Sequence, residues 1–201
     1  MKKWLSIGLL ALGLSLFGHG VYMQAKAWLA QVLIEQAWQT TLKSPNKKIK
    51  PWFYADSYPV AQIIWPKHNK RLTVLDGASG RNLAFAPSHF LPAGELGGAD
   101  FGNSQGALIA GHNDTHFAFL KNAKVGEQFS LQLKNGQVQH YSVTHVEVIN
   151  QYNTDFLQQS GLYLLTCYPF DSLASGTDLR WLVSAEIFSP EVELGISTTS
   201  S

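Results

Sequence analysis

The sequence predicts a mainly β domain of about eight short strands, closed as a barrel or stacked as a sandwich, behind a single apolar N-terminal helix. Three observations predict it. From Trp52 onward, β-rich apolar runs alternate with clusters of Gly, Pro, Asn and Asp, the spacing of an all-β fold. Asn135-Gly136 stands between two such runs, and that dipeptide is the strongest short-range hairpin signal. Residues 4–23, WLSIGLLALGLSLFGHGVYM, hold no Lys, Arg, Asp or Glu and match the length a helix needs to cross a bilayer.

Taken in order, Lys2 and Lys3 precede the apolar stretch and stay on the cytoplasmic side by the positive-inside rule, which places the rest of the chain beyond the membrane. Residues 1–24 therefore read as a membrane anchor. Ala25-Lys26-Ala27 loosely imitates a cleavage site, so a cleaved signal peptide is the competing reading. Residues 25–42 carry apolar side chains at three- and four-residue spacings, a helical stalk, and KSPNKKIKP ends it. Stalk and linker thus occupy 25–50 and the β domain 51–190. The expected strands are 60–65, 71–76, 82–87, 106–112, 127–133, 139–149, 162–168 and 180–188. Residues 113–121 have the pattern of one or two helical turns, with Asn113 or Asp114 as N-cap. Residues 191–201 read as a frayed tail.

Composition narrows the function. With 45% hydrophobic and 14% charged residues among 201, the chain is an ordered globular domain. A net charge of +1 provides no field that steers it to nucleic acid. Lys43, Lys47, Lys48 and Lys50 cluster beside Pro45 and Pro51 without interleaved aromatics, a solvated linker rather than a nucleic-acid surface.

Cys167, in LLTCYPF, is the only cysteine. An exported single Cys has no internal disulfide partner, so it is either a small buried hydrophobe or a nucleophile. A nucleophilic Cys needs a base or a cation beside it. Of seven histidines, His112 ends the run GALIAGH and precedes a polar turn, which lets its ring project from a strand rim; His116 follows four residues later. Arg180 opens an apolar strand thirteen residues after Cys167, the length of one strand end, a loop and a return. Antiparallel pairing then sets Arg180 opposite Cys167, where a guanidinium can stabilise a thiolate and an oxyanion.

Three other readings compete. His112 and His116 have H-x-x-x-H spacing and Cys167 could complete a metal site, but zincins carry Glu after the first His, where this chain has Asn113. An L,D-transpeptidase has Gly before its Cys and Arg soon after, whereas here Thr166 precedes and Tyr168 and Pro169 follow. A non-catalytic, membrane-tethered β-barrel that binds or scaffolds a partner would leave Cys167 inert.

The segments ALIAGHNDTHFAFL, LLTCYPF and DLRWLV together resemble the sortase family, in particular its Gram-negative type, and the likeness extends over roughly residues 55–188. Leu164, Thr166 and Cys167 match the family's T-L-x-T-C strand, with Tyr163 where Thr is usual. The resemblance implies an eight-stranded sortase-like β-barrel with short helices. It implies Cys167 as nucleophile with His112 and Arg180 as its catalytic partners, and Thr166, His116, Asn113 and Tyr168 along the substrate cleft, with neither cofactor nor metal. The substrate it implies is an exported protein with an LPxTG-like C-terminal signal, cut between Thr and Gly and passed to an amine acceptor. The enzyme would sit in the inner membrane as a single-pass protein with its catalytic domain in the periplasm.

Overall fold

The structure, a computed structural model, describes residues 2–91, 93–96, 106–171 and 176–188. Helix α1 runs unbroken over Lys2–Lys43, so the expected anchor and stalk are one helix. No Pro interrupts this stretch, and nothing else in it removes an i to i−4 bond. Its first half exposes Leu9, Leu10, Leu14 and Phe17, and Ile7–Lys43 is long and apolar enough to cross a membrane, as either an anchor or a signal sequence. Its second half buries Ala30, Ile34, Ala37, Trp38 and Thr41, spaced by three and four residues on one face.

The strands are β1 (Pro59–Trp65), β2 (Lys70–Asp76), β3 (Ser88–His89), β4 (Ala107–Ala110), β5 (Gln128–Leu133), β6 (Val138–Asn150), β7 (Leu162–Cys167) and β8 (Leu179–Ile187). They close into a barrel in the order β1-β2-β3-β4-β7-β8-β6-β5. Pairs β2–β3 and β4–β7 are parallel and the other neighbours antiparallel. Period-two alternation sends Ala61, Ile63 and Trp65 of β1, Phe129, Leu131 and Leu133 of β5, and Leu162 and Leu164 of β7 into one interior. Trp65 stacks on Phe129 at 4.5 Å between centroids and fills the barrel beside Tyr141.

Two local expectations differ from the structure, and a third is met. Residues 82–87 are not a strand: Ser79 caps helix α2 (Gly80–Leu83) by accepting from Asn82 N, and the Asn82 amide donates to the carbonyls of Asp76 and Gly77. That side chain-to-backbone bonding offers the chain an alternative to a ladder, and only Ser88–His89 pairs. Between 113 and 121, helical turns begin at Ala118, with Phe117 rather than Asn113 or Asp114 at the cap position. The hairpin at Asn135-Gly136 forms as expected between β5 and β6, but only Gly136 has positive φ, and Leu133 N donates to Gln137 O while Gly136 N donates to Leu133 O. This is the type I turn with a glycine bulge.

Helix α1 is bound to the outside of β1 and β2 by a polar seam as well as by packing. Glu35 Oε2 accepts from Gln62 Nε2 at 3.0 Å and from Thr73 Oγ1 at 3.1 Å, and Arg71 Nη1 donates to Gln62 Oε1 at 2.9 Å. Gln62 is fully buried, so each of these bonds replaces water that the packed helix excludes. Trp38, also fully buried, is the largest side chain in that contact. Truncating it, Trp38→Ala, is expected to cost about 3 to 5 kcal/mol of stability, read as a lowered denaturation midpoint of the detergent-solubilised chain.

Candidate active site

Alternation along three adjacent strands decides which side chains meet. On β7, Leu162 and Leu164 point into the core and Tyr163 and Leu165 point out; Thr166 is then inward and buried, and Cys167 outward and exposed. On β8, Val183 and Ala185 are inward, which turns Leu182 and Arg180 outward. On β4, Ala107 and Ile109 are inward and Leu108 outward. The outer face shared by these strands is covered at one end by Phe156 and Leu157, which pack with Leu165 on the cluster of Leu108, Tyr163 and Leu182, and among the described residues it is open at the other, where Cys167 is exposed.

Cys167 stands at the open end. Its Cα pairs with that of Arg180 in the antiparallel β7–β8 ladder. In the parallel β4–β7 ladder Ala110 pairs with Leu165, Gly111 N continues it by donating to Leu165 O at 3.1 Å, and Thr166 Oγ1 donates to Gly111 O at 2.7 Å. His112 follows at once, exposed, two residues past Ala110 as Cys167 is two past Leu165. The structure thus brings Cys167, His112 and Arg180 to one sheet face and one strand end.

Gly111 is required there: a Cβ would lie 2.7 Å from Phe117 Cδ2. The Phe117 ring covers the glycine backbone, and Phe117 N donates to His112 O at 2.9 Å, closing the loop directly behind His112.

Arg180 is held rather than free. Its Nη1 donates to the carbonyls of Thr177 at 2.6 Å and Leu179 at 2.8 Å, and its Nη2 donates to Gln151 Oε1. Gln151 is fixed in turn, with Nε2 donating to Asp178 Oδ1 at 2.6 Å and its backbone N to Asp178 O at 2.7 Å. These bonds engage three of the five guanidinium N–H groups. Neither Gln151 nor Asp178 stands out in the sequence: both are polar residues in turns, and only the β6–β8 pairing brings them together.

The remaining expected site residues are distributed unevenly. Asn113 Nδ2 donates to Pro169 O at 3.2 Å and ties the His112 loop to the Cys167 loop. Tyr168 stacks on Trp181 at 5.7 Å, Phe170 meets the same indole edge-on, and Trp181 Nε1 donates to Leu120 O at 3.0 Å. Thr166 spends its hydroxyl inside the barrel on Gly111. His116 is half-buried, and burial, followed by repulsion from His112, lowers its pKa from the ordinary 6.5, against the opposing pull of the Phe85 carbonyl and Asp114. Tyr163 lies on the outer face against Phe156, and its ring fills the space above Gly106 where a Cβ would lie 2.1 Å away. Among the described residues no three His, Cys, Asp or Glu side chains gather as a metal site.

A family model described as the sortase domain matches residues 63–188, from β1 through the end of β8. The chain belongs to the sortase family. Solved sortases share the fold at low identity. Sortase A from Corynebacterium diphtheriae superposes with a TM-score of 0.57 at 18% identity, covering 82% of this chain and 86% of that one. Sortase C-1 from Actinomyces oris gives 0.55 at 22%, covering 80% and 99%. The Clostridium perfringens sortase D5 transpeptidase gives 0.56 at 18%, covering 75% and 88%. No curated protein sequence matches. This sortase is accordingly a sortase-type transpeptidase, with the expected closed eight-stranded barrel.

Two predictions follow from the geometry. Gly111→Ala must displace Phe117 or the strand end, so both the melting temperature and peptide cleavage are expected to fall; unchanged values for both would show that the loop gives freely. The lowered pKa of His116 means that the unfolded chain takes the proton first: its contribution to stability is complete above pH 6.5 and is lost as pH falls through the folded value. Removing the repulsion with His112→Asn is expected to move the His116 titration upward, read by NMR of the imidazole protons.

Proposed function

We propose that the protein is a membrane-anchored cysteine transpeptidase of the Gram-negative sortase type, which cuts an LPxTG-like C-terminal sorting signal through a Cys167 thioester and passes the acyl group to an amine. One observation carries the reading: in a chain of the sortase family, the β4–β7–β8 register delivers Cys167, His112 and Arg180 to a single exposed strand end. The Cys167 thiolate attacks the Thr carbonyl carbon, and the oxyanion that forms accepts hydrogen bonds from Arg180. The C–N bond to Gly breaks, and His112 gives its proton to the departing amine. The incoming amine then attacks the thioester, His112 takes its surplus proton, and the thiolate leaves. Over the two half-reactions the imidazole thus acts once as acid and once as base, and returns to its starting protonation state.

Arg180 acts in this scheme through geometry. The Asp178–Gln151–Arg180 chain orients the guanidinium and leaves N–H groups for substrate carbonyl oxygens, and a Lys ammonium cannot hold those acceptors and the Thr177 and Leu179 carbonyls together. α1 would act as an uncleaved single-pass anchor in the inner membrane, with the barrel in the periplasm.

Cys167→Ala is expected to abolish thioester formation and cleavage of an LPxTG-like peptide while the fold survives, as mass spectrometry of the trapped acyl-enzyme would reveal. A variant cleaving at the wild-type rate would sink the reading, and an unreactive wild-type thiol would favour a scaffold. Arg180→Lys is expected to slow single-turnover acylation by about two to three orders of magnitude, the usual effect of losing an oxyanion donor. Gln151→Ala is expected to slow the same step less, with a larger effect on kcat than on KM.

A further inference from the structure

Above the apolar half of α1, a turn of the domain presents large aromatic side chains to solvent. Phe53 is 91% exposed and Tyr54 65%, and on α1 Leu29, which lines the groove with Tyr54, is 50% exposed and Trp28, on another face of the helix, 68%. The turn is rigidly based: Trp52 packs edge-on against Phe85 at 5.1 Å, Phe85 lies against Ile34 and Ala86, and Asp56 pairs with Arg81. Phe53 and Tyr54 contact each other edge-on at 4.8 Å, so the pair forms one projecting unit. Tyr54 and Trp52 share with Lys26, Leu29 and Leu33 of α1 a groove of about 320 Å³.

The height of this unit is set by the helix. Residues 4–23 span about 30 Å, the thickness of a bilayer's hydrocarbon core, and the headgroup layer adds roughly 5 to 7 Å on each side. Lys26 then rises about 4 to 5 Å above the hydrocarbon edge and Leu29 about 9 Å. The groove that Lys26, Leu29 and Tyr54 line therefore starts within the headgroup layer at Lys26 and passes its outer edge by Leu29, the boundary region where Trp, Tyr and Lys side chains are favoured. Because α1 is unbroken and bound to β1 and β2 by Ile34, Trp38 and Glu35, this height is fixed.

We propose that Trp28, Leu29, Phe53 and Tyr54 form a docking surface that seats the barrel on the outer edge of the headgroup layer of the membrane that α1 crosses. The proposal rests on the anchor reading of α1. It commits to the lipid surface because the patch continues the membrane span and has that interface's composition. It also orients the barrel. β2 runs toward the docked end, since Leu75 lines the groove, while β5 begins at the opposite end, where Ser130 pairs with Ile64 near the close of β1. Val125, 64% exposed just before β5, therefore marks the undocked end.

The test uses the full chain in vesicles of phosphatidylethanolamine and phosphatidylglycerol. Cys167→Ala removes the only thiol, and Phe53→Cys, Val125→Cys or Leu12→Cys each adds one site for an environment-sensitive fluorophore. Lipids spin-labelled at the headgroup or deep in the acyl chain serve as quenchers. The expected result is strong quenching at position 53 by headgroup labels, none at 125, and strong quenching at 12 by deep labels. Position 12 quenched with 53 as dark to the lipids as 125 overturns the docking surface and leaves the anchor intact. An unquenched position 12 overturns the anchor reading first. A spectral shift at 53 that grows with the protein-to-lipid ratio without quenching identifies a second copy as the occupant and also overturns the proposal.

Discussion

The parallel pairing of β4 with β7 is the constraint on which the site depends. Two parallel neighbours end at the same edge of a barrel, so residues equally far past the ladder emerge side by side; here these are His112 and Cys167. The Thr166 hydroxyl on the Gly111 carbonyl extends that ladder past its last backbone pair, and the buried bond keeps the strand ends from splaying. Antiparallel β8 then needs only to begin where β7 ends to bring Arg180 alongside. A one-residue slip in either ladder would turn Cys167 into the core and expose Thr166.

Around this edge two polar clusters are held by hydrogen bonds, one under α1 and one at the rim. Gln62 and Thr73 face outward from the barrel yet are buried, because α1 covers them and Glu35 satisfies them. The helix is thus a structural layer of the domain. At the opposite wall, Asp178 and Gln151 hold the guanidinium, so the cation's position is determined by backbone turns rather than by its own flexible stem.

Much of this was legible in the residues. Alternating runs and turn dipeptides located seven of the eight strands to within a few residues, since period two and Gly or Asn punctuation are local signals. The facing of Cys167 and Arg180 was legible too, because a thirteen-residue return admits few geometries besides a hairpin-like one. The β4–β7 pairing was not, since parallel neighbours joined through a long excursion leave no spacing to read. NLAFAP misled because its apolar alternation is overridden by Ser79 and Asn82, whose side chains bond the backbone and turn it. Gln151 was invisible for a similar reason: its importance lies in a contact across 29 residues, not in its neighbours.

Strand direction has a consequence for whatever the barrel acts on. β4 and β7 run opposite to β2, so the edge bearing Cys167 lies at the end of the barrel away from the groove beside α1. For a barrel seated as proposed, that edge stands above the bilayer by at most about the length of β1, whose seven residues rise about 23 Å along a strand that tilts in the barrel. A substrate still held in the same bilayer must bridge that gap with its own spacer, and extended chain covers at most about 3.3 to 3.6 Å per residue. Up to about seven residues between scissile bond and membrane would then be the shortest usable spacer, and a barrel seated in this way would act as a ruler that sorts such substrates by length.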